Sequence, residues 1–305
     1  MTRIIEPGTL ETPAGSLPVI RLAGRDVFRT RAARLRALAE GHALGDYLRF
    51  LSALAGAQDE ALAVMHHVAL PDARLLAQAR EHGMPPLAAN SLARDPVWRA
   101  ALASILNSLS TVPMPDASRA VIERLQAADA ETLERLADST VSGDPAKLDR
   151  AAAPFIAAAL QVYWLHLVTR LGVEAFAPLP GTHAVCPCCG SAPVASVVRI
   201  GGEEQGLRYL TCSLCQSQWH VVRIKCAFCD TTKDISYYEI EGGNAAVKAE
   251  QCASCGSYLK ILYMEKDPNL DAVADDVASI ALDVLMAESG MARGGVNYYL
   301  IGGDA

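Results

Sequence analysis

Cysteine spacing constrains this chain more than any other feature. All nine cysteines lie between Cys186 and Cys255, and eight form four CxxC pairs: Cys186/Cys189, Cys212/Cys215, Cys226/Cys229 and Cys252/Cys255. Adding 40 to each position of the first two pairs gives the last two, and 22 residues separate the pairs within each copy, so the unit is a tandem repeat. Two thiolates of a CxxC project from one tight turn, and two such turns facing each other form a tetrahedral four-sulfur cage for zinc or iron. The competing reading, disulfides, fits poorly with a chain expected to stay in a reducing compartment.

That compartment is read from the start of the chain. MTRIIEPGTLETPAG lacks the apolar core and cleavage site of a secretory signal, so a cytoplasmic location is expected. With 305 residues, 51% hydrophobic and 20% charged, the chain has the balance of a globular protein with room for two domains. A net charge of -7 supplies no general attraction to nucleic acid. The most apolar stretch, Ala151 to Val168, contains Pro154, Gln161 and His166 and has charges at both ends, so it reads as a buried helix and no membrane insertion is expected.

From about Phe28 to Leu171 the apolar residues recur at helical spacing, as in Tyr47, Leu48, Leu51, Leu54, Leu62 and Met65, and a helical bundle is expected. Pro71 opens one helix and Gly83 closes it; others are expected over Asp95–Leu109, Asp116–Ala127 and Thr132–Asp138, and the long apolar helix from Pro145. His66 and His67 are placed on a helix. The stiff Ala177-Pro178-Leu179-Pro180-Gly181 segment marks a boundary, after which β-branched and aromatic runs appear at 194–200, 207–211, 219–224 and 236–240. Gly201-Gly202 and Gly242-Gly243 suit hairpin turns between them.

The expected fold class is therefore α+β: an N-terminal helical bundle, two tandem rubredoxin-like or zinc-ribbon β modules, and a C-terminal helix. The expected domains are residues 1–180, the ribbons at 181–266 (about 184–221 and 222–264), and 267–305 packing back on the body. The last helix is expected to start at Asp267-Pro268 with Val273, Val277, Ile280 and Val284 as its apolar stripe, and to end at Gly290. The ribbons and the bundle are expected to have separate cores.

Ribbons of about 40 residues bury too little apolar surface to be stable alone, so metal binding is expected to supply folding energy. Four thiolates close the coordination shell and leave no position for a substrate, which argues against Lewis-acid hydrolysis. They suit iron and zinc alike. The equal loops favour pairing the first with the second CxxC and the third with the fourth. Cys188 lies inside the first knuckle and reads as a small apolar filler, with a sulfur- or redox-handling role as the alternative. Asp275-Asp276 reads as a favourable interaction with a helix N-terminus. His220 is nearest the metal region among the histidines, but the eight cysteines already complete two shells. No catalytic constellation, phosphate loop, GxGxxG or GxSxG is present.

The run CPCCGSAPVASVVRIGGEEQGLRYLTCSLCQSQWHVVRIKCAFC from Cys186 to Cys229 resembles the formate dehydrogenase accessory protein family, FdhE, as does Lys248 to Met286; EHGMPPL at Glu81–Leu87 agrees with it. Cys188 departs from the family pattern, which has an apolar residue there. The resemblance implies a cytoplasmic accessory protein, a chaperone in enzyme maturation, needed for the activity of respiratory, exported formate dehydrogenase. Such a protein binds the catalytic subunit before transport and is not itself an enzyme. It also implies rubredoxin-like iron, two ions per chain rather than zinc, held by Cys186, Cys189, Cys212, Cys215, Cys226, Cys229, Cys252 and Cys255. The alternative is a rubredoxin-like electron-transfer protein. Nucleic-acid binding is disfavoured: residues 184–266 hold eight Lys/Arg and eight Asp/Glu, and each four-thiolate centre on a divalent ion adds negative charge. The ribbons are the expected client contact, with Trp219, Arg208 and Arg223 as candidate anchors.

Overall fold

A computed structural model describes residues 18–66, 68–180 and 184–301. The leader reading at the N-terminus, His67 and Gly181 of the stiff segment fall outside them. Among the described residues a two-residue strand, β1 (Ile20–Arg21), is followed by seven helices: α1 (Val27–Leu38), α2 (Gly45–Val64), α3 (Ala73–Glu81), α4 (Val97–Leu109), α5 (Asp116–Ala127), α6 (Ala130–Ser142) and α7 (Ala153–Leu171). The punctuation is chemical. Asp72 and Asp129 cap α3 and α6 by accepting from the amides of Arg74 and Thr132, and Gly143 ends α6 at φ 64°.

Helix α7 starts eight residues later than Pro145 suggested. Asp144 and Asp149 take the amides of Ala146 and Ala152, which holds the chain in turns, and it is Pro154 that occupies the first helical turn, where its missing N–H costs nothing. From Phe155 to Val168 every side chain of α7 is buried, with α2, α4 and α6 packed around it. Among the described residues no helix is long and apolar enough to cross a membrane. Helix α2 stops at Val64, so His66 lies beyond it, exposed, and not on a helix as expected.

The second half forms β2 (Pro193–Val198), β3 (Arg208–Cys212), β4 (Gln218–Val221), β5 (Ile235–Tyr238), β6 (Val247–Cys252) and β7 (Ser257–Tyr263), followed by α8 (Ala274–Ala278), α9 (Ile280–Glu288) and β8 (Ala292–Arg293). The fold is mixed α and β with two tandem ribbon modules, as expected. The modules β2-β3-β4 and β5-β6-β7 are fused into one eight-stranded sheet of order β1-β4-β3-β2-β7-β6-β5, with β8 also on β7. The seam is the parallel β2–β7 pair, Ser196↔Ile261 through Val198↔Tyr263. Arg208, wholly buried, crosses between modules to Glu250 at 2.8 Å, and the Tyr237 hydroxyl donates to the same carboxylate at 3.0 Å. Trp219 is buried as well, paired with Ile20 of β1. Neither Trp219 nor Arg208 is available as a client anchor; of the three candidates only Arg223 is exposed.

The C-terminal helix also departs from expectation. Pro268 sits in a turn, and Asp271 accepts from the amides of Val273 and Ala274 to start α8 instead. Ser279 then breaks the helix, because the buried ammonium of Lys260 takes the carbonyls of Asp276 and Ser279 at 2.8 and 3.0 Å. The apolar stripe is thereby rotated: Val273 and Val277 are buried, Val284 is 52% exposed, and Leu282 and Met286 take its place. Asp275 and Asp276 are buried ion-pair partners, of Arg34 and of Lys260 with Arg293, not surface groups serving a helix dipole. One apolar core runs from the helices into both ribbons, taking in Cys186, Cys188, Cys189, Cys212 and Cys215 of the first and Val247, Leu259 and Leu262 of the second, so the cores are not separate.

Candidate metal centres

Each knuckle is a short turn whose geometry is locally dictated. Main-chain amides two residues on point back at the first sulfur: Cys188 to Cys186 Sγ at 3.4 Å, Leu214 to Cys212 Sγ at 3.3 Å and Phe228 to Cys226 Sγ at 3.4 Å. Such bonds favour the thiolate. The residue after the second cysteine has positive φ in all four knuckles: Gly190 (77°), Gln216 (64°), Asp230 (62°) and Gly256 (70°). That left-handed residue turns the chain into the following segment; glycine adopts it freely and an L side chain at some cost.

The folded chain brings Cys186, Cys189, Cys212 and Cys215 into one group and Cys226, Cys229, Cys252 and Cys255 into another, with all ligand atoms of a group within 4.8 Å of one another. Pairing is consecutive, not cross-braced. Individual Sγ···Sγ separations are 3.5 Å (Cys186–Cys215) and 3.4 Å (Cys189–Cys212) in the first group. In the second they are 3.8 Å (Cys226–Cys255) and 3.6 Å (Cys229–Cys252). A tetrahedral ion with metal–sulfur bonds of about 2.3 Å needs edges of about 3.8 Å, so both groups fit a metal ion with small adjustments. All nine cysteines are free thiols.

The two groups differ in burial. In the first all four sulfur-bearing residues are buried; in the second Cys229 and Cys255 are exposed. The first is covered by the helical body. The loop after α3 pins its first knuckle: Leu87 N donates to Cys188 O and Ala89 N to Cys189 O, both at 2.9 Å, and Pro85 rests on Gly190. Trp164 of α7 in turn holds the Leu87 carbonyl at 3.0 Å. Pro85 and Leu87 of the EHGMPPL segment thus hold a cysteine knuckle in place.

The second knuckle is held by a chain of buried amides. Tyr299 donates to Gln58 at 2.7 Å, Gln58 to Gln161 at 2.9 Å, and Gln161 to the carbonyl of Ser213 at 2.8 Å. Sequence reasoning missed this chain, although Gln161 stood out as polar inside an apolar helix. Cys188 is buried and touches Cys186 through its amide, and the buried phenol of Tyr298 lies beside Cys189 and Cys212. His220 stacks edge-on against Tyr209 at 5.6 Å and joins neither cluster.

Electrostatics single out one thiol per module. Burial pushes Cys186 and Cys212 well above the ordinary thiol range, and burial likewise raises Cys226 to about 12. Burial opposes charge on Cys215 too, but the surrounding thiols of Cys186, Cys188, Cys189 and Cys212 outweigh it and hold Cys215 low. Cys255, its counterpart 40 residues on, is also lowered: burial opposes, while the Ser257 amide and hydroxyl and the neighbouring thiols prevail. In each module one thiol is therefore the more easily deprotonated, and binding a cation to the cluster displaces thiol protons.

Comparison with known proteins agrees over most of the chain. The family descriptions "FdhE, N-terminal", "FdhE, central domain" and "FdhE, C-terminal domain" match residues 17–180, 185–223 and 224–300. The chain is 44% identical over 280 residues to the Protein FdhE homolog of Cronobacter sakazakii and to Protein FdhE of Salmonella typhimurium, covering 92% of this chain and 90% of each relative. The crystal structure of the FdhE protein from Pseudomonas aeruginosa superposes with a TM-score of 0.86 at 40% identity, covering 94% of this chain and all of that one. With this likeness extending from the helical body through both cysteine modules, the chain belongs to the FdhE family.

Proposed function

We propose that this chain is a cytoplasmic accessory protein of respiratory, exported formate dehydrogenase, which binds the catalytic subunit before transport and does not itself turn over formate. The observation that carries the reading is membership in the FdhE family across all three of its domain descriptions, together with two closed four-cysteine groups. The eight paired cysteines are the ligands, two ions per chain, with iron the native metal rather than zinc. When bound, such an ion cross-links its two knuckles and has no open position for a substrate. In this reading residues 1–180 form the helical unit, 181–266 the ribbons, and 267–305 the helix and tail packed back on the body.

The test is capture of the purified catalytic subunit by the metal-loaded chain, alongside elemental analysis of anaerobically purified protein. A complex with no formate oxidation by the chain alone is expected. Absence of a complex overturns client binding, and zinc in the native protein overturns the iron assignment.

One observation favours a second reading, one-electron transfer: two sulfurs of the second group, Cys229 and Cys255, face solvent, where a redox partner has access. A reversible one-electron couple that titrates independently of the first site supports it, and redox-silent protein removes it.

A further inference from the structure

The repeat makes β5 the counterpart of β2, and the two strands differ in what lies on their outer edges. The register equates them: Val197 of β2 pairs with Tyr209 as Tyr238 of β5 pairs with Ala249. The outer edge of β2 is filled by a parallel strand, β7, with Met264 N donating to Val198 O at 3.1 Å. The same edge of β5 ends the sheet. Asp234 O accepts from Ala253 N at 3.0 Å across directly opposed residues. Alternation then turns the backbone groups of Ser236 and Tyr238 toward β6 and those of Ile235 and Tyr237 outward. Among the described residues nothing bonds to the outward groups. Neither proline nor lysine, the usual protections of an edge, occurs in Ile235–Ile240, and Tyr237, Tyr238 and Ile240 are 42%, 46% and 38% exposed.

We infer that the β5 edge is a docking strand for an extended segment of the client, added parallel to β5 as β7 is to β2; this rests on the client-binding reading above. Continuity with the β2–β7 seam sets the direction. Charge sets the chemistry: the C-terminal end of β5 runs into Glu239 and Glu241, both exposed, and among the described residues Glu239 alone of the two pairs with a cation, Lys248 at 2.8 Å. The segment that fits alternates apolar and polar residues and carries a lysine or arginine at its C-terminal end. A head-to-tail second copy is a poorer occupant, because the opposite edge it would have to offer is β1, a strand of only two residues. Ile240 also lines a cleft of about 270 Å³ with Leu38, Val247 and Leu282, which extends the apolar surface past the strand end.

The test uses the metal-loaded full chain and the purified catalytic subunit of a formate dehydrogenase. Tyr237→Pro removes an outward N–H and leaves the β6 ladder intact, a substitution that edge strands tolerate, whereas Tyr237→Phe keeps the N–H and removes only the hydroxyl on Glu250. Capture is expected to fall roughly tenfold in Tyr237→Pro and to be nearly unchanged in Tyr237→Phe, from the loss of one strand hydrogen bond and the clash of the ring. Two metals per chain and an unchanged melting temperature in Tyr237→Pro establish that it folds. Hydrogen exchange of 235–241 should slow in the wild-type complex. Equal capture by wild type and Tyr237→Pro, or unchanged exchange of 235–241 in the complex, overturns the docking strand while leaving client binding intact. A β5-to-β5 dimer of the free chain, seen by mass in solution, also overturns it. Failure of the wild type to capture the subunit overturns both readings.

Discussion

Arg31 of α1 donates through Nη2 to the side-chain oxygen of Gln216 at 2.6 Å, and both side chains are buried. Gln216 is the left-handed residue that follows Cys215, and its amide nitrogen also reaches the carbonyls of Ser213 and Leu214 at 3.1 and 3.3 Å. The same guanidinium holds Asp271, ahead of α8, at 3.0 Å. One side chain thus ties a helix, a cysteine knuckle and the C-terminal segment together.

This contact separates two positions that look alike in sequence. Glycine removes the left-handed cost of about 1 kcal/mol at either Gln216 or Asp230. At Gln216 it also strips a buried guanidinium of a partner, about 2 kcal/mol, so Gln216→Gly should destabilise by about 1 kcal/mol. At Asp230 the loss is only a surface pair with Lys225 at 3.0 Å, so Asp230→Gly should be neutral or slightly stabilising. Chemical denaturation of both variants decides; equal effects would show that the Gln216 contacts contribute nothing.

Removing Arg31 itself tests the larger junction. Arg31→Met leaves the carboxylate of Asp271, only 11% exposed, without its guanidinium, and a loss of about 3 kcal/mol is expected. Unfolding should remain a single transition if the helices and the first ribbon share one core; two resolved transitions would contradict that.

The clusters should respond differently to loss of a ligand. Closed thiolate sites supply about 10–16 kcal/mol of apparent binding energy to the fold that holds them. Because Cys186 is buried in the core shared with the helices, Cys186→Ser should lower the melting temperature followed by helical circular dichroism. Cys226 lies outside that shared core, so Cys226→Ser should loosen the second ribbon and leave the helical transition nearly in place. Equal effects on the helical signal would refute the asymmetry. By the same reasoning a chelator should empty the second site first, and thiol alkylation should label Cys229 and Cys255 before the others.

His166 supplies a pH dependence. Burial first, and then the charges of Arg25, Arg170 and His66, lower its pKa to about 4 from the usual 6.5, and neither ring nitrogen has a hydrogen-bond partner among the described residues. The unfolded chain takes up a proton below pH 6.5 that the folded chain refuses. This contribution is therefore complete above pH 6.5, and it declines by about 1.4 kcal/mol per pH unit as the pH falls towards 4. His166→Leu should match the wild type at pH 7.5 and be more stable at pH 5. A wild-type advantage at pH 5 would show that the imidazole is charged in the fold.

Two kinds of information divide between the sequence and the tertiary structure. Cys186-x-x-Cys189 and its three companions were legible because a CxxC turn is built from adjacent residues, and the 40-residue offset announced two modules. The helical periodicity of α2 and the boundaries of α5 are equally local, as is the polar oddity of Gln161 in α7. Strands β6 and β7 escaped the alternation test because Glu250 and Lys260 interrupt them. Those charges are buried only because Arg208, Asp276 and Asp283 arrive from elsewhere in the chain to pair with them. The tertiary structure alone decided that β1 closes one sheet edge, that β2 and β7 fuse the modules, that Arg208 and Trp219 are interior, and that one cysteine cluster is covered while its repeat is exposed. Burial is a property of what packs on a residue from far along the chain. Two copies of one local motif therefore share their turn geometry but not their exposure to solvent.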